Sequence, residues 1–197
     1  VALARFHMER KLLELAVAEE QPLDLVGRHG AAAVEAILLA RSLNPADPEL
    51  VRWHANLELW LHFNANGGGQ ALDAYFETMD DLLRLDPLDV GAMRRMAVQL
   101  GAVGRQAEMD ALLDRILELE PDDAMAWIMR GRYSALDGHT ESALHAFVRA
   151  KEAIFNCRVK AHSNSPRTRR FYEKILQDAD LSMVRRSIRN LRLSLEI

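Results

Sequence analysis

Ala40-Arg-Ser-Leu43-Asn-Pro45, Leu82-Leu-Arg-Leu85-Asp-Pro87 and Ile116-Leu-Glu-Leu119-Glu-Pro121 are three copies of one ending. Each closes an apolar segment with a polar residue and then proline. Proline donates no backbone hydrogen bond and drives the residue before it out of the helical region, so each copy marks the end of a helix. From Pro87 to Pro121 is 34 residues, and from Pro45 to Pro87 is 42, which is one period plus 8. A fixed period of this length signals a repeat whose units bury their apolar faces against their neighbours. Between the prolines, apolar residues recur at intervals of three and four, and no strand-like alternation survives its flanks. The chain reads as all-α.

Beyond Pro121 the residues Trp127, Gly131, Ala143, Phe147 and Ala150 complete the pattern. At this spacing the chain resembles the tetratricopeptide repeat (TPR) family. The resemblance implies an all-α solenoid of about four antiparallel helix pairs plus a C-terminal capping helix. In such pairs small residues let two helices approach closely, while Trp127 and Phe147 fill the space between neighbouring helices. In the preceding unit Ala97, Gly104 and Pro121 keep the pattern, but Met109 and Ile116 stand where alanines are usual, so that pair should pack less closely.

The unit from Pro48 to Pro87 carries the extra length. It is read as a loop insertion at Asn64-Ala-Asn-Gly-Gly-Gly69, between a lengthened first helix and a second helix from about Gln70. The first pair, about Leu3 to Glu20 and Ala31 to Leu43, keeps only Ala33, Ala40 and Pro45, as an atypical end unit does. The repeat array is expected over 1–154 and a loop over 155–165. A basic amphipathic helix, or two, is expected over 166–197, opened by Pro166. Its apolar residues are Phe171, Tyr172, Ile175, Leu176 and Ala179, followed by the narrow stripe Leu181, Val184, Ile188, Leu191 and Leu195.

At 197 residues, with 49% hydrophobic and 27% charged residues, the chain can bury a core, and disorder throughout is excluded. No apolar run reaches the roughly 18 residues a membrane-crossing helix needs. The single cysteine, Cys157, excludes an internal disulfide and a multi-cysteine zinc site. The chain begins with Val and reads as a processed product, a fragment, or a soluble domain of a larger or membrane-associated protein; the cytoplasm is the favoured compartment. The formal net charge of −4 is unevenly placed: residues 1–155 carry 15 Lys+Arg against 25 Asp+Glu, and residues 156–197 carry 10 against 4.

No catalytic constellation emerges. His54 and His62 share a helix without a third ligand nearby, and Gly67-Gly68-Gly69 lacks the lysine and hydroxyl of a phosphate loop. Asp178 and Asp180 read as a solvated turn or helix cap. Cys157 has Arg158 and Lys160 beside it but no local histidine or second cysteine, and reads as a free thiol. No catalytic residue, metal or cofactor is expected, and the chain is read as a binding module rather than an enzyme.

The resemblance implies that the first helices of successive units line a concave face whose residues are available to a partner. On this sequence that face comprises Arg52, Trp53, Asn56 and Trp60, then Arg94, Arg95 and Val98, then Met125, Ile128, Met129 and Arg132. Arg52 and Asn56 stand where the chaperone-binding branch of the family holds Lys and Asn, and Arg95 where its second unit holds Asn. Met125 and Met129 replace that branch's third-unit basic pair, so its full carboxylate clamp is not implied. The competing reading packs Trp53, Ile128 and Met129 against adjoining helices and leaves the arginines in water. The expected partner is another protein, offering an acidic and apolar segment. The alternative is nucleic acid or an anionic membrane surface, contacted by Arg167, Arg169, Arg170, Lys174, Arg185, Arg186, Arg189 and Arg192. The apolar stripe on the same segment favours a cap on the last repeat and a monomer, with pairing of two such helices in a dimer as the alternative.

Overall fold

The computed structural model describes residues 1–64, 68–161 and 181–195. Among them all regular structure is α-helix: α1 Ala2–Ala18, α2 Leu23–Leu43, α3 Pro48–Asn64, α4 Gly68–Leu85, α5 Val90–Ala102, α6 Gln106–Leu119, α7 Ala124–Leu136, α8 Thr140–Ala161 and α9 Leu181–Leu195. They fall into two compact units, Val1–Ala92 and Met93–Ile197. The expected Arg167, Arg169, Arg170 and Lys174, the pair Asp178 and Asp180, and the helix opened by Pro166 lie outside the described residues.

In the first unit α1 packs on α2, α2 on α3, and α3 on α4. Phe6, Leu13, Ala33, Ile37 and Leu57 form the centre of its core. The helix expected from Ala31 begins at Leu23 instead, directly after Pro22. Two glycines obscured this start, because glycine disfavours a helix interior. At one of them the space is tight: a Cβ on Gly30 would stand 3.0 Å from Leu61 Cδ2 and 3.9 Å from Leu13 Cδ1, so a side chain there would press on Leu61 of α3.

The extra length of the α3 and α4 pair is carried by its helices rather than by a loop insertion. α3 and α4 have 17 and 18 residues, against 13 in α5 and 14 in α6, so each helix of the pair gains 4. Three residues stand between α3 and α4 in the sequence, as between α5 and α6. Two paired helices with so few residues between them must lengthen together, here by about 6 Å each at 1.5 Å per residue. The glycine run looked like a loop because Gly68 and Gly69, poor helix formers, occupy the first turn of α4.

A buried polar group ties three helices of this unit together. Arg41 Nη1 on α2 donates to His54 Nδ1 on α3 at 2.7 Å, which makes Nδ1 the acceptor of the ring and leaves Nε2–H to donate to Glu58 Oε1 at 3.1 Å. Arg41 Nη2 also reaches Asp81 Oδ2 on α4 at 2.7 Å, and Thr78 Oγ1 lies 3.4 Å from His54 Nδ1. His54, Glu58 and Thr78 are buried, so each depends on these partners in place of water.

In the second unit α6 packs on α7, α7 on α8, and α8 on α9. Gly131 faces α8: a Cβ there would sit 3.0 Å from the ring of Phe147, and Ala143 of α8 is fully buried. Met109 and Ile116 are fully buried despite replacing alanines. The expected loop from Phe155 is helix as far as Ala161, because α8 continues the buried series Ala143, Ala146, Phe147, Ala150 into Ala153 and Ile154. Those last residues seat α9, which covers them with Val184, flanked by Met183, Ile188 and Leu191. The stripe thus caps the last helix pair; the side chains of Leu181 and Leu195 lie outside the described residues.

The first helices of three pairs end alike. Arg105 N–H donates to Leu100 O, His139 N–H to Ser134 O and Gln21 N–H to Ala16 O, each closing over a residue with positive φ. Those residues are Gly104 (φ 76°), Gly138 (φ 77°) and Glu20 (φ 53°). The left-handed conformation favours glycine, so Glu20 is strained where the other two are not. Glu20→Gly is therefore expected to raise stability by roughly 1 kcal/mol, read as a higher denaturation midpoint. Gly131→Leu forces a branched side chain into the Phe147 ring and is expected to cost roughly 1 to 3 kcal/mol or more. An unchanged midpoint for Gly131→Leu would contradict the packing described for α7 and α8.

Candidate protein-interaction surface

Three aspartates, Asp47, Asp89 and Asp123, stand two residues after Pro45, Pro87 and Pro121 and begin α3, α5 and α7. Asp89 Oδ1 accepts from Ala92 N–H at 2.8 Å and Asp123 Oδ1 from Ala126 N–H at 3.0 Å, satisfying donors that have no partner inside the helix. Their second oxygens are taken by arginine. Arg52, the fifth residue of α3, donates through Nη2 to Asp89 Oδ2 at 2.6 Å. Arg94, the fifth residue of α5, donates through Nε to Asp123 Oδ2 and through Nη2 to Glu120 at 2.7 Å. One carboxylate therefore caps its own helix and holds the first helix of the preceding pair.

The electrostatics of Arg52 fit this role. Burial alone would lower its pKa, but the hydrogen bond and field of Asp89, with Glu49 and Asp86, outweigh burial and raise it above the ordinary guanidinium value. Arg52 also pairs with Glu49. In the first helix α1 the fifth residue is Phe6, and in the last first helix, α7, it is Ile128. Both are buried. Among these first helices arginine holds this position only in α3 and α5; after α1 the corresponding aspartate, Asp47, caps α3 through Glu49 N–H and accepts from Asn44 instead.

The expected partner-facing residues accordingly divide. Arg52 and Arg94 are held by carboxylates. Trp53 is half-buried, stacked on Phe6 with centroids 6.3 Å apart and planes 18° apart, with His7 edge-on at 5.0 Å. Trp60 and Met125 are partly buried against the cores of their units. Ile128 and Met129 are buried, only 4% and 7% exposed, so they pack the second unit and offer little to a partner. Asn56, Arg95, Val98 and Arg132 remain exposed. Arg95 and Arg132 make no ion pair with the described residues. In the second unit α5 passes close to α7: Arg94 reaches the α7 cap, and a Cβ on Gly101 would overlap the Tyr133 hydroxyl.

Trp127 does not fill the interior as Phe147 does. It is half-exposed, its Nε1–H donates to Pro121 O at 2.9 Å, and the guanidiniums of Arg130 and Arg149 lie 5.7 and 5.6 Å from its ring. His145 meets it edge-on at 5.9 Å, at the rim of an open hollow lined also by Ser134, Glu141 and Ser142. Both arginines are themselves paired, Arg130 with Asp114 and Arg149 with Glu152. His54 is held within the polar group of the first unit, and His62 meets Phe63 edge-on. Among the described residues no three His, Cys, Asp or Glu side chains converge to hold a metal ion, and no helix is long and apolar enough to cross a membrane.

This succession of helix pairs, closed by proline after each second helix, has counterparts among solved structures. A MamA RS-1 ArsTM double mutant matches over 97% of this chain and 96% of its own, with a TM-score of 0.52 and 15% identity. A thermophilic TPR protein in Thermus thermophilus matches over 89% and 93%, with a TM-score of 0.51 and 18% identity. The fold is that of the tetratricopeptide repeats. No family model matches the sequence, and no curated protein matches it significantly. The TPR pattern is kept here in its small residues and prolines, while the residues between them follow this chain's own ion pairs.

The aspartates that begin α5 and α7 were missed as functional positions by sequence reasoning, although their recurrence two residues after proline was a visible signal. Asp123→Ala removes a helix cap and leaves Arg94 without its main partner, and is expected to cost about 2 to 4 kcal/mol. Asp123→Asn, which can still cap, should cost distinctly less. Equal losses in thermal unfolding would show that the cap contributes nothing, and an Asp123→Asn as stable as the wild type would separate Arg94 from the role assigned to it.

Proposed function

We propose that the chain is a protein-interaction scaffold that holds an acidic segment of another protein against the exposed face of α5 and α7. The observation that carries this reading is the division among its arginines. Arg52 and Arg94 are neutralised by capping aspartates, whereas Arg95 and Arg132 project into solvent unpaired, with Val98 one turn from Arg95. A guanidinium binds a carboxylate with two parallel hydrogen bonds, and an adjoining aliphatic side chain supplies apolar contact, so the face suits Asp or Glu beside an aliphatic residue. The TPR-like fold supports a binding role in general. A rigid scaffold also suits the role, because its face needs little ordering when a partner docks.

Selection from a random peptide display library with the intact chain is the direct test. Enriched peptides are expected to carry Asp or Glu next to Leu, Ile or Val. Affinity for an enriched peptide should fall at least about tenfold in Arg95→Glu with Arg132→Glu, as loss of interfacial charge pairs does, with helical circular dichroism unchanged. Peptides without acidic enrichment, or binding indifferent to both substitutions, would overturn the reading. Arg52→Glu is unsuitable here, since it breaks the α5 cap pair.

A further inference from the structure

Most arginines of the repeat pairs are matched to carboxylates, as with Arg5 and Glu35, Arg28 and Asp24, Arg41 and Asp81, and Arg105 and Glu108. Helix α9 departs from this. It contains no Asp or Glu, its Arg185, Arg186, Arg189 and Arg192 are all exposed, and none pairs with a described residue. Arg185, Arg189 and Arg192 stand at i, i+4 and i+7, so they form one straight ridge about 10 Å long. The apolar face of the helix is occupied by α8. The ridge is therefore held rigidly, pointing outward.

Helix α4 presents the opposite charge in the same register. Asp73, Glu77 and Asp80 are exposed and also stand at i, i+4 and i+7. The charges of the two compact units differ in the same sense: residues 1–92 carry 7 Lys+Arg against 15 Asp+Glu, a balance of −8, and residues 93–197 carry 18 against 14, a balance of +4. We propose that the arginine ridge of α9 docks on the acidic stripe of α4 in a second copy of the chain, giving a weak, salt-sensitive self-association. Laid side by side in the same direction, the two stripes meet rung for rung, three guanidiniums against three carboxylates.

Several observations favour a second copy over a nucleic acid or a membrane. The acidic first unit is present wherever the ridge is, and it would be repelled by any extended polyanion. The ridge carries no aromatic side chain on which bases could stack. Its apolar face is already covered, so it cannot settle into a lipid interface. Interfacial charge pairs of this kind act mainly on encounter and specificity and are screened over about 8 Å at physiological salt. The expected complex is weak, with a dissociation constant on the order of 1 mM at that salt and tighter below it. The inference is independent of the partner-binding face on α5 and α7.

Sedimentation velocity over a concentration series, at low salt and at physiological salt, reads it directly. The wild-type coefficient should rise with protein concentration at low salt, and the rise should largely disappear at higher salt. The triple variant Arg185→Glu, Arg189→Glu, Arg192→Glu should stay monomeric alone, as should Asp73→Lys, Glu77→Lys, Asp80→Lys. An equimolar mixture of the two should associate again, because the reversed ridge then meets the reversed stripe in another molecule. Should either reversal impair folding by circular dichroism, the Arg→Gln and Asp→Asn, Glu→Gln counterparts test loss of association with the helices preserved. A wild type monomeric throughout the low-salt series would overturn the proposal, as would a mixture that fails to associate. So would tight binding of a DNA duplex or anionic vesicles through the ridge without self-association.

Discussion

Asp89 and Asp123 each cap a helix and hold an arginine of the preceding helix pair, and the packing of the middle pairs depends on that sharing. A helix start leaves backbone N–H groups unsatisfied, and Asp89 and Asp123 meet one such need with Oδ1. The same side chains receive Arg52 and Arg94 on Oδ2. The side chain of Asp123 is nearly buried, so its charge is tolerated only because both oxygens are engaged. The pairing spans 37 residues in one case and 29 in the other, a difference of 8 that equals the extra length of the α3 and α4 pair. Lengthening both helices of that pair by one turn leaves the start of α5 where Arg52 can still reach it.

Apolar residues stand where this device ends. Phe6 and Ile128 occupy the position of Arg52 and Arg94 in the outer first helices, and each is buried under aromatic or aliphatic cover, Phe6 against Trp53 and Ile128 in the cluster that α9 completes. The consequence for function is a sorting of charge. Arginines that organise the repeats are neutralised toward an approaching molecule, whereas Arg95 and Arg132 on the repeat helices and the four arginines of α9 have no ion pair among the described residues and keep their charge for a partner.

The fold was legible because proline and small residues act locally: Pro45, Pro87 and Pro121 end helices whatever surrounds them, and Gly131 has a use only where another helix touches it. In the first two helix pairs, glycine was the cause where the sequence misled. Gly27, Gly30 and the Gly68-Gly69 pair look like breaks, yet they lie within α2 and α4 because tertiary contact outweighs propensity. The site was less legible. Spacing placed Arg52 and Arg95 correctly on first helices, but it says nothing of which arginine has a carboxylate within reach. That depends on Asp89 and Asp123 being brought back by the chain some thirty residues later. Ile128 illustrates the same gap, since its burial is set partly by α9, more than fifty residues further on.

The division between structural and free arginines can be read from guanidinium dynamics by nitrogen-15 NMR. The account predicts slow solvent exchange at Nε–H and hindered rotation about the Cζ–Nε bond for Arg94, whose Nε donates to Asp123, and hindered rotation for Arg52, whose Nη2 donates to Asp89. Arg95 and Arg132 should exchange and rotate as freely as arginine in a disordered peptide. Equal freedom for all four, or restraint at Arg95 with freedom at Arg94, would contradict it.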